Sequence, residues 1–157
     1  MLPAGDARPA SAPAVLFVCV KNAGKSQMAA GLMRAVAGNS VGVASAGTRP
    51  GEAVNPLSAQ SLLEVDVDIT GEQPQPVTAE LIAAADVVVT LGAEARIDPD
   101  LITAAAELRP GTRFETWVTD EPSHRGIDGL ERMRLVRDDI AARVTDLRDR
   151  LLAAPAS

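Results

Sequence analysis

The residues of clearest chemical meaning lie in the run Cys19-Val20-Lys21-Asn22-Ala23-Gly24-Lys25-Ser26: a cysteine, five residues, a lysine and a serine. Each part of this spacing has a use around a tetrahedral oxyanion. The Cys19 thiolate would be the nucleophile beneath the anion, and the successive N–H groups of Val20, Lys21, Asn22, Ala23, Gly24 and Lys25 would bind its oxygens. Lys25 would add a cation, and Ser26 could donate a hydrogen bond to the sulfur. A helix opening just after the loop would bring the positive end of its dipole to the same place. Gly24-Lys25-Ser26 also ends a nucleotide-binding Walker pattern. Two features argue against that reading. The position of the pattern's first glycine is Cys19, and a later apolar run ends in Thr90-Leu91-Gly92 without the aspartate that helps hold magnesium. An inert buried cysteine at a strand end is the plainest alternative, and the loop that follows Cys19 disfavours it.

Composition narrows the chemistry. Cys19 is the only cysteine, so neither an internal disulfide nor a multi-cysteine metal site can form, and any thiol redox step needs a second molecule. His124 is the only histidine, which removes most metal constellations, so neither a metal nor a bound cofactor is expected. Tyrosine is absent and there are two phenylalanines and one tryptophan, leaving almost no stacking platform for bases or sugars. A formal net charge of −6 argues against nucleic acid or an anionic membrane as the main partner. No run approaches the roughly 18 apolar residues of a membrane span. Residues 1–13 lack the basic start and apolar stretch of a signal peptide and read as a flexible tail of a cytoplasmic protein. Residues 14–157 read as a single domain, with homodimerisation left open.

Stepping from the loop to its supports, residues 14–18 form a continuous apolar run, the pattern of a central parallel strand covered on both faces. Residues 27–38 read as a helix with Met28, Leu32 and Val36 at four-residue steps and Gly38-Asn39 as the stop. Residues 41–44 read as a second strand. Asn55 and Thr78 are N-caps, for helices reaching about Val65 and Ala84. Residues 86–92 and 112–118 read as further strands, and residues 96–106 are ambiguous. The spacing of Asp128 and Glu131 suggests a capping box for the longest helix, whose arginines and aspartates read as a solvated face. Strands alternating with helices predict an α/β fold: a three-layer, doubly wound, four-stranded parallel sheet with helices on both faces. The strands' carboxyl ends would then gather Cys19, Thr48 and the Asp120-Glu121 pair at one rim.

The loop from Cys19 to Ser26 resembles the catalytic loop of the low-molecular-weight protein tyrosine phosphatase superfamily, which includes thiol-dependent arsenate reductases. Three segments look like those of the actinobacterial arsenate-mycothiol transferases: residues 15–32, VLFVCVKNAGKSQMAAGL; Ser45-Ala46-Gly47-Thr48-Arg49-Pro50; and Leu130-Glu131-Arg132-Met133-Arg134-Leu135-Val136-Arg137-Asp138. The resemblance implies Cys19 as nucleophile, Val20 to Ser26 as the oxyanion loop, and Asn22 holding its strained turn with help from Ser45. The phosphatases place an aspartate directly before a proline as the acid. Here, in Asp120-Glu121-Pro122, Glu121 matches by position and Asp120 by residue type. Lys25 stands where the phosphatases have arginine, and their paired tyrosines are missing. The three-cysteine arsenate reductases resolve their intermediate internally, which one cysteine cannot do. The resemblance therefore implies an enzyme joining arsenate to mycothiol as co-substrate, with a mycoredoxin-type protein acting on the product. A phosphatase, or a non-catalytic oxyanion-binding module, are the other readings. Lys21 and Arg49 read more readily as plain surface charges than as members of the site, and Trp117 as an anchor under the acid loop.

Overall fold

The computed structural model describes residues 12–153. The elements in order are β1 (Ala14–Cys19), α1 (Lys25–Ala37), β2 (Gly42–Gly47), α2 (Pro56–Leu63), α3 (Ala79–Ala83), β3 (Val87–Leu91), α4 (Pro99–Leu108), β4 (Arg113–Trp117) and α5 (Gly129–Leu152). All four strands are parallel, in the order β2-β1-β3-β4. The expected four-stranded parallel α/β sheet is thus what the chain forms.

β1 is apolar without a break because both of its faces are covered. Alternation along the strand sends Val15, Phe17 and Cys19 into one core, shared with Met28 and Leu32 of α1, Leu62 of α2 and the Val136, Ile140, Val144, Leu147 and Leu151 stripe of α5. Leu16 and Val18 point into the other core, with Ile82, Val88 and Ala105. The two-residue period therefore decides which face the thiol serves. Cys19 ends the strand facing α1 and α5. Trp117, the last residue of β4, packs on Phe17 with ring centroids 5.7 Å apart and is buried, which fits its expected role as an anchor beneath the loop that follows.

Several expected boundaries shift for physical reasons. α1 begins at Lys25, so the lysine and Ser26 belong to the first turn of the helix. Val36 is exposed, and its place in the buried stripe is taken by Met33 and Ala37. β2 extends through Ser45 to Gly47. The ambiguous stretch is the helix α4, with Asp98 capping through Asp100 N and Pro99 in the first turn, a start signal as good as the one at Asn55. Asp128 is the N-cap of α5 but makes no side-chain cap bond, so the suggested capping box does not form. The expected N-terminal tail, apart from Ala12 and Pro13, lies outside the described residues, and Pro13 O accepts a bond from Gly42 N at the start of the sheet. No described helix is long and apolar enough to cross a membrane, and no group of three or more His, Cys, Asp or Glu side chains among the described residues could hold a metal.

Candidate active site

The site forms where β1 stops and α1 starts. Cys19 is 7% exposed. Its Sγ lies 2.9 Å from Ser26 Oγ and receives the Asn22 N–H at 3.2 Å. Four backbone bonds pull the loop's carbonyl oxygens outward: Thr48 N to Cys19 O, Arg49 N to Val20 O, Gly51 N to Lys21 O and Asn55 N to Ala23 O. A trans peptide sets its N–H opposite its C=O. Tying those carbonyls to residues 48–55 therefore turns the N–H groups of Val20, Lys21, Asn22 and Gly24 toward the bowl above the sulfur. The N-cap of α1 is Gly24, with no side-chain cap and no acidic residue in the first turn, so the helix start is left for an anion to satisfy.

Asn22 holds the turn. Its φ is 53°, in the left-handed region that asparagine tolerates better than most residues, and it is fully buried. Nδ2 donates to Ser26 Oγ at 2.7 Å and Ser45 Oγ at 3.0 Å. Oδ1 accepts from Gln75 N at 3.0 Å and Gln27 Nε2 at 3.3 Å. Ser45 thus supports the loop through Asn22. Gly47 sits against the same turn, where a Cβ would lie 2.6 Å from Val20 O and 2.9 Å from Asn22 N; only glycine lets β2 pass this close.

The acid loop follows β4, and the structure separates its two candidates. Glu121 reaches the oxyanion loop: Oε1 pairs with Lys25 Nζ at 3.1 Å, while Oε2 accepts from Arg132 Nη2 at 2.9 Å and from Ser123 Oγ at 2.8 Å. Asp120 is instead bound by Arg125, at 2.8 and 3.2 Å, and its N–H is held by Asp139. For Glu121, partial burial would raise the carboxyl pKa, but hydrogen bonds from Ser123, Arg132 and Lys25 outweigh it and bring it down to about 2. The Arg125 hydrogen bond likewise lowers that of Asp120. Lys21 and Arg49 are exposed, and neither side chain has an ion pair or hydrogen bond to the site.

A depressed folded-state pKa contributes stability above the unfolded value and loses it as pH falls toward the folded one. Glu121 is lowered to about 2, and so is Glu64, through its hydrogen bond from Arg134, opposed by partial burial and reinforced by Arg137. Urea stability is therefore expected to decline between about pH 5 and pH 2, with a shallower decline in Glu121→Gln. An unchanged slope in that variant would contradict the ion-pair geometry.

Residues the sequence left unassigned complete the site. The arginines and aspartates of α5 do more than face solvent. Arg132 holds Glu121, Asp139 holds the Asp120 N–H, and Arg143 donates to Val118 O, all on the acid loop. Gln27 and Gln75 brace Asn22. Arg132, Asp139 and Arg143 recur at seven- and four-residue steps, which keeps them on one helix face, but nothing in the spacing says which loop that face meets.

Comparison with known proteins agrees with this fold. The family described as low molecular weight phosphotyrosine protein phosphatase matches residues 14–154. Arsenate reductase 2 of Staphylococcus saprophyticus is 30% identical over 135 residues, covering 86% of this chain and 95% of that protein. The glutaredoxin arsenate reductase of Synechocystis is 30% identical over 134 residues, covering 85% and 94%. Among solved structures, the thioredoxin-dependent arsenate reductase of Corynebacterium glutamicum superposes with a TM-score of 0.69 at 31% identity, over 92% of this chain and 63% of that one. The chain therefore belongs to the low-molecular-weight phosphotyrosine protein phosphatase family, alongside its arsenate reductases.

Proposed function

We propose that this chain joins arsenate to an outside thiol through Cys19, the first step of arsenate reduction. The observation that carries the reading is a single cysteine at the floor of an oxyanion loop, in a chain with no second cysteine to resolve a covalent intermediate. The Cys19 thiolate attacks arsenic in bound dihydrogen arsenate. As the S–As bond forms, one oxygen takes up a proton and leaves as water. The outside thiol then attacks arsenic, its sulfur replaces that of Cys19, and its proton is released. The product is a thiol–arsenic(V) adduct, and no electrons have yet changed hands. A further thiol attacking the adduct's sulfur forms a disulfide and releases arsenite, the two thiols supplying the two electrons.

The charges suit this sequence. An entering oxyanion competes with Glu121 for Lys25, and its negative charge beside the freed carboxylate raises that group's affinity for a proton. Glu121 is then placed to carry a proton to the departing oxygen, whereas Asp120 pairs with Arg125 and makes no bond to Lys25. Lysine offers a point charge where arginine would grip two oxygens with a planar fork, so in-line phosphoryl transfer is less favoured. With no tyrosine in the chain, little is available to clasp an aryl phosphate.

The thiol we assign is mycothiol, with a mycoredoxin-type protein reducing the adduct in the cytoplasm; the support is the resemblance of residues 15–32, 45–50 and 130–138 to arsenate-mycothiol transferases. No bound cofactor enters the scheme. The Corynebacterium relative described as thioredoxin-dependent supports a second reading, in which a protein thiol attacks at Cys19. Purified protein given arsenate is expected to form arsenite with mycothiol and mycoredoxin at least roughly tenfold faster than with thioredoxin and its reductase. The reverse order would transfer the assignment to a protein thiol, and aryl phosphate hydrolysis outpacing both would favour a phosphatase.

A further inference from the structure

We propose that Arg132 is a positioning residue for this reaction: it keeps the Glu121 carboxylate at the mouth of the loop when the entering oxyanion takes Lys25 away. The inference rests on reading the loop as an oxyanion site, and it holds whichever thiol acts.

The two cations on Glu121 are unequal. Lys25 belongs to the first turn of α1 and makes one contact, Nζ to Oε1 at 3.1 Å. Arg132 comes from the first turn of α5 and makes two contacts to the other carboxylate oxygen, Oε2, from Nη2 at 2.9 Å and Nε at 3.2 Å. A planar fork with two bonds is the harder partner to displace, whereas an ammonium on a flexible stem can turn toward a new anion. After that exchange, Glu121 without Arg132 would be left with the Ser123 hydroxyl and no cation, next to an anion that repels it.

The other charged neighbours do not take the place of Arg132. Arg125 is committed to Asp120, and Asp139 holds the backbone of Asp120. Asp120 itself adds negative charge. His124 meets Glu121 only through its backbone N–H, which donates to Glu121 O. Among the described residues, Arg132 is thus the single cation that can stay on Glu121 through oxyanion binding. A carboxylate fixed in this way is available at the rim for the proton transfer assigned to it.

The test compares Arg132→Ala, Arg132→Lys, Glu121→Gln and the Glu121→Gln/Arg132→Ala double variant. In protein saturated with inorganic phosphate and carrying carbon-13 at glutamate carboxyls, Arg132→Ala is expected to raise the titration midpoint of Glu121 by about one pH unit or more, with Arg132→Lys in between. Phosphate protection of Cys19 from iodoacetate should change by less than about threefold, because Arg132 is not itself an oxyanion ligand. Arsenate turnover should fall roughly 10- to 100-fold in Arg132→Ala, yet change by less than about twofold when Glu121→Gln is already present. An unmoved Glu121 midpoint, equal losses in both backgrounds, or a loss of phosphate protection beyond about tenfold in both would overturn the proposal. If no thiol supports arsenate turnover, the arsenate reading fails by itself, and the titration and protection measurements still decide the role of Arg132.

Discussion

Serine in place of Cys19 is expected to lower arsenate turnover by about 10³-fold or more while leaving the oxyanion loop able to bind phosphate. The loss is chemical. A serine hydroxyl is held as alcohol at neutral pH and has little affinity for arsenic, so the S–As bond on which both transfers depend cannot form. The binding apparatus is separate from the sulfur: the loop N–H groups, Lys25 and the uncapped start of α1 are all unchanged by the substitution. Asn22 N and Ser26 Oγ, which contact Sγ at 3.2 and 2.9 Å, can instead meet the serine oxygen. Stability should stay within about 1 kcal/mol of the native protein by urea denaturation. Arsenite formation in the presence of mycothiol and mycoredoxin checks the first claim, and phosphate titration followed by NMR checks the second. A serine variant keeping more than about a tenth of native turnover would remove Cys19 from the mechanism.

The second large effect is expected at Asn22. Alanine there keeps a left-handed residue in the turn, at a cost of about 1–2 kcal/mol without asparagine's tolerance for it. It also strips partners from the buried Ser26 and Ser45 hydroxyls and from Gln75 N, each worth about 1–3 kcal/mol where water cannot compensate. Part of this is recovered by relaxation of the loop. The net expectation is a loss of about 2–4 kcal/mol in urea denaturation and about 10²-fold or more in turnover, because the N–H groups no longer converge over the sulfur. Asn22→Asp separates the two effects. It keeps the acceptor for Gln75 N but loses the donor to Ser26 and Ser45 and places a negative charge beside Cys19, so activity should fall further than stability. Equal activity in native, alanine and aspartate forms would mean that Asn22 does not shape the site.

The sequence shows the oxyanion loop because its parts are contiguous. Cys19, the five residues after it and Lys25-Ser26 need only a strand before and a helix after, and both carry strong local signals: an unbroken apolar run and an alanine-rich amphipathic stretch. The parallel sheet follows from the same kind of signal in β3 and from alternation with helices. What could not be read was long-range pairing. The clamp from Thr48, Arg49, Gly51 and Asn55 is made by backbone groups and leaves no mark in residue type. The choice between Asp120 and Glu121 depends on where Arg125 and Arg132 lie after folding, and local sequence treats the two acids almost alike. Arg132 itself was hidden among the charges of α5, one arginine in a helix rich in them. The capping box at Asp128 and Glu131 failed for the opposite reason: its spacing is right, yet Asp128 makes no side-chain bond to the helix it precedes.

In the proposed reaction Cys19 forms the bond to arsenic and every further thiol comes from outside. The decisive experiment is an anaerobic incubation of the protein with excess arsenate, without any added thiol, with arsenite measured against protein concentration. Buried as it is, Cys19 cannot readily reach a second copy of itself, and one thiol cannot supply the two electrons by disulfide formation. The expected result is no arsenite above background until mycothiol and mycoredoxin are added, followed by many turnovers per protein molecule. Arsenite appearing in proportion to the protein without added thiol would mean that the chain supplies the electrons itself and that no outside thiol is needed.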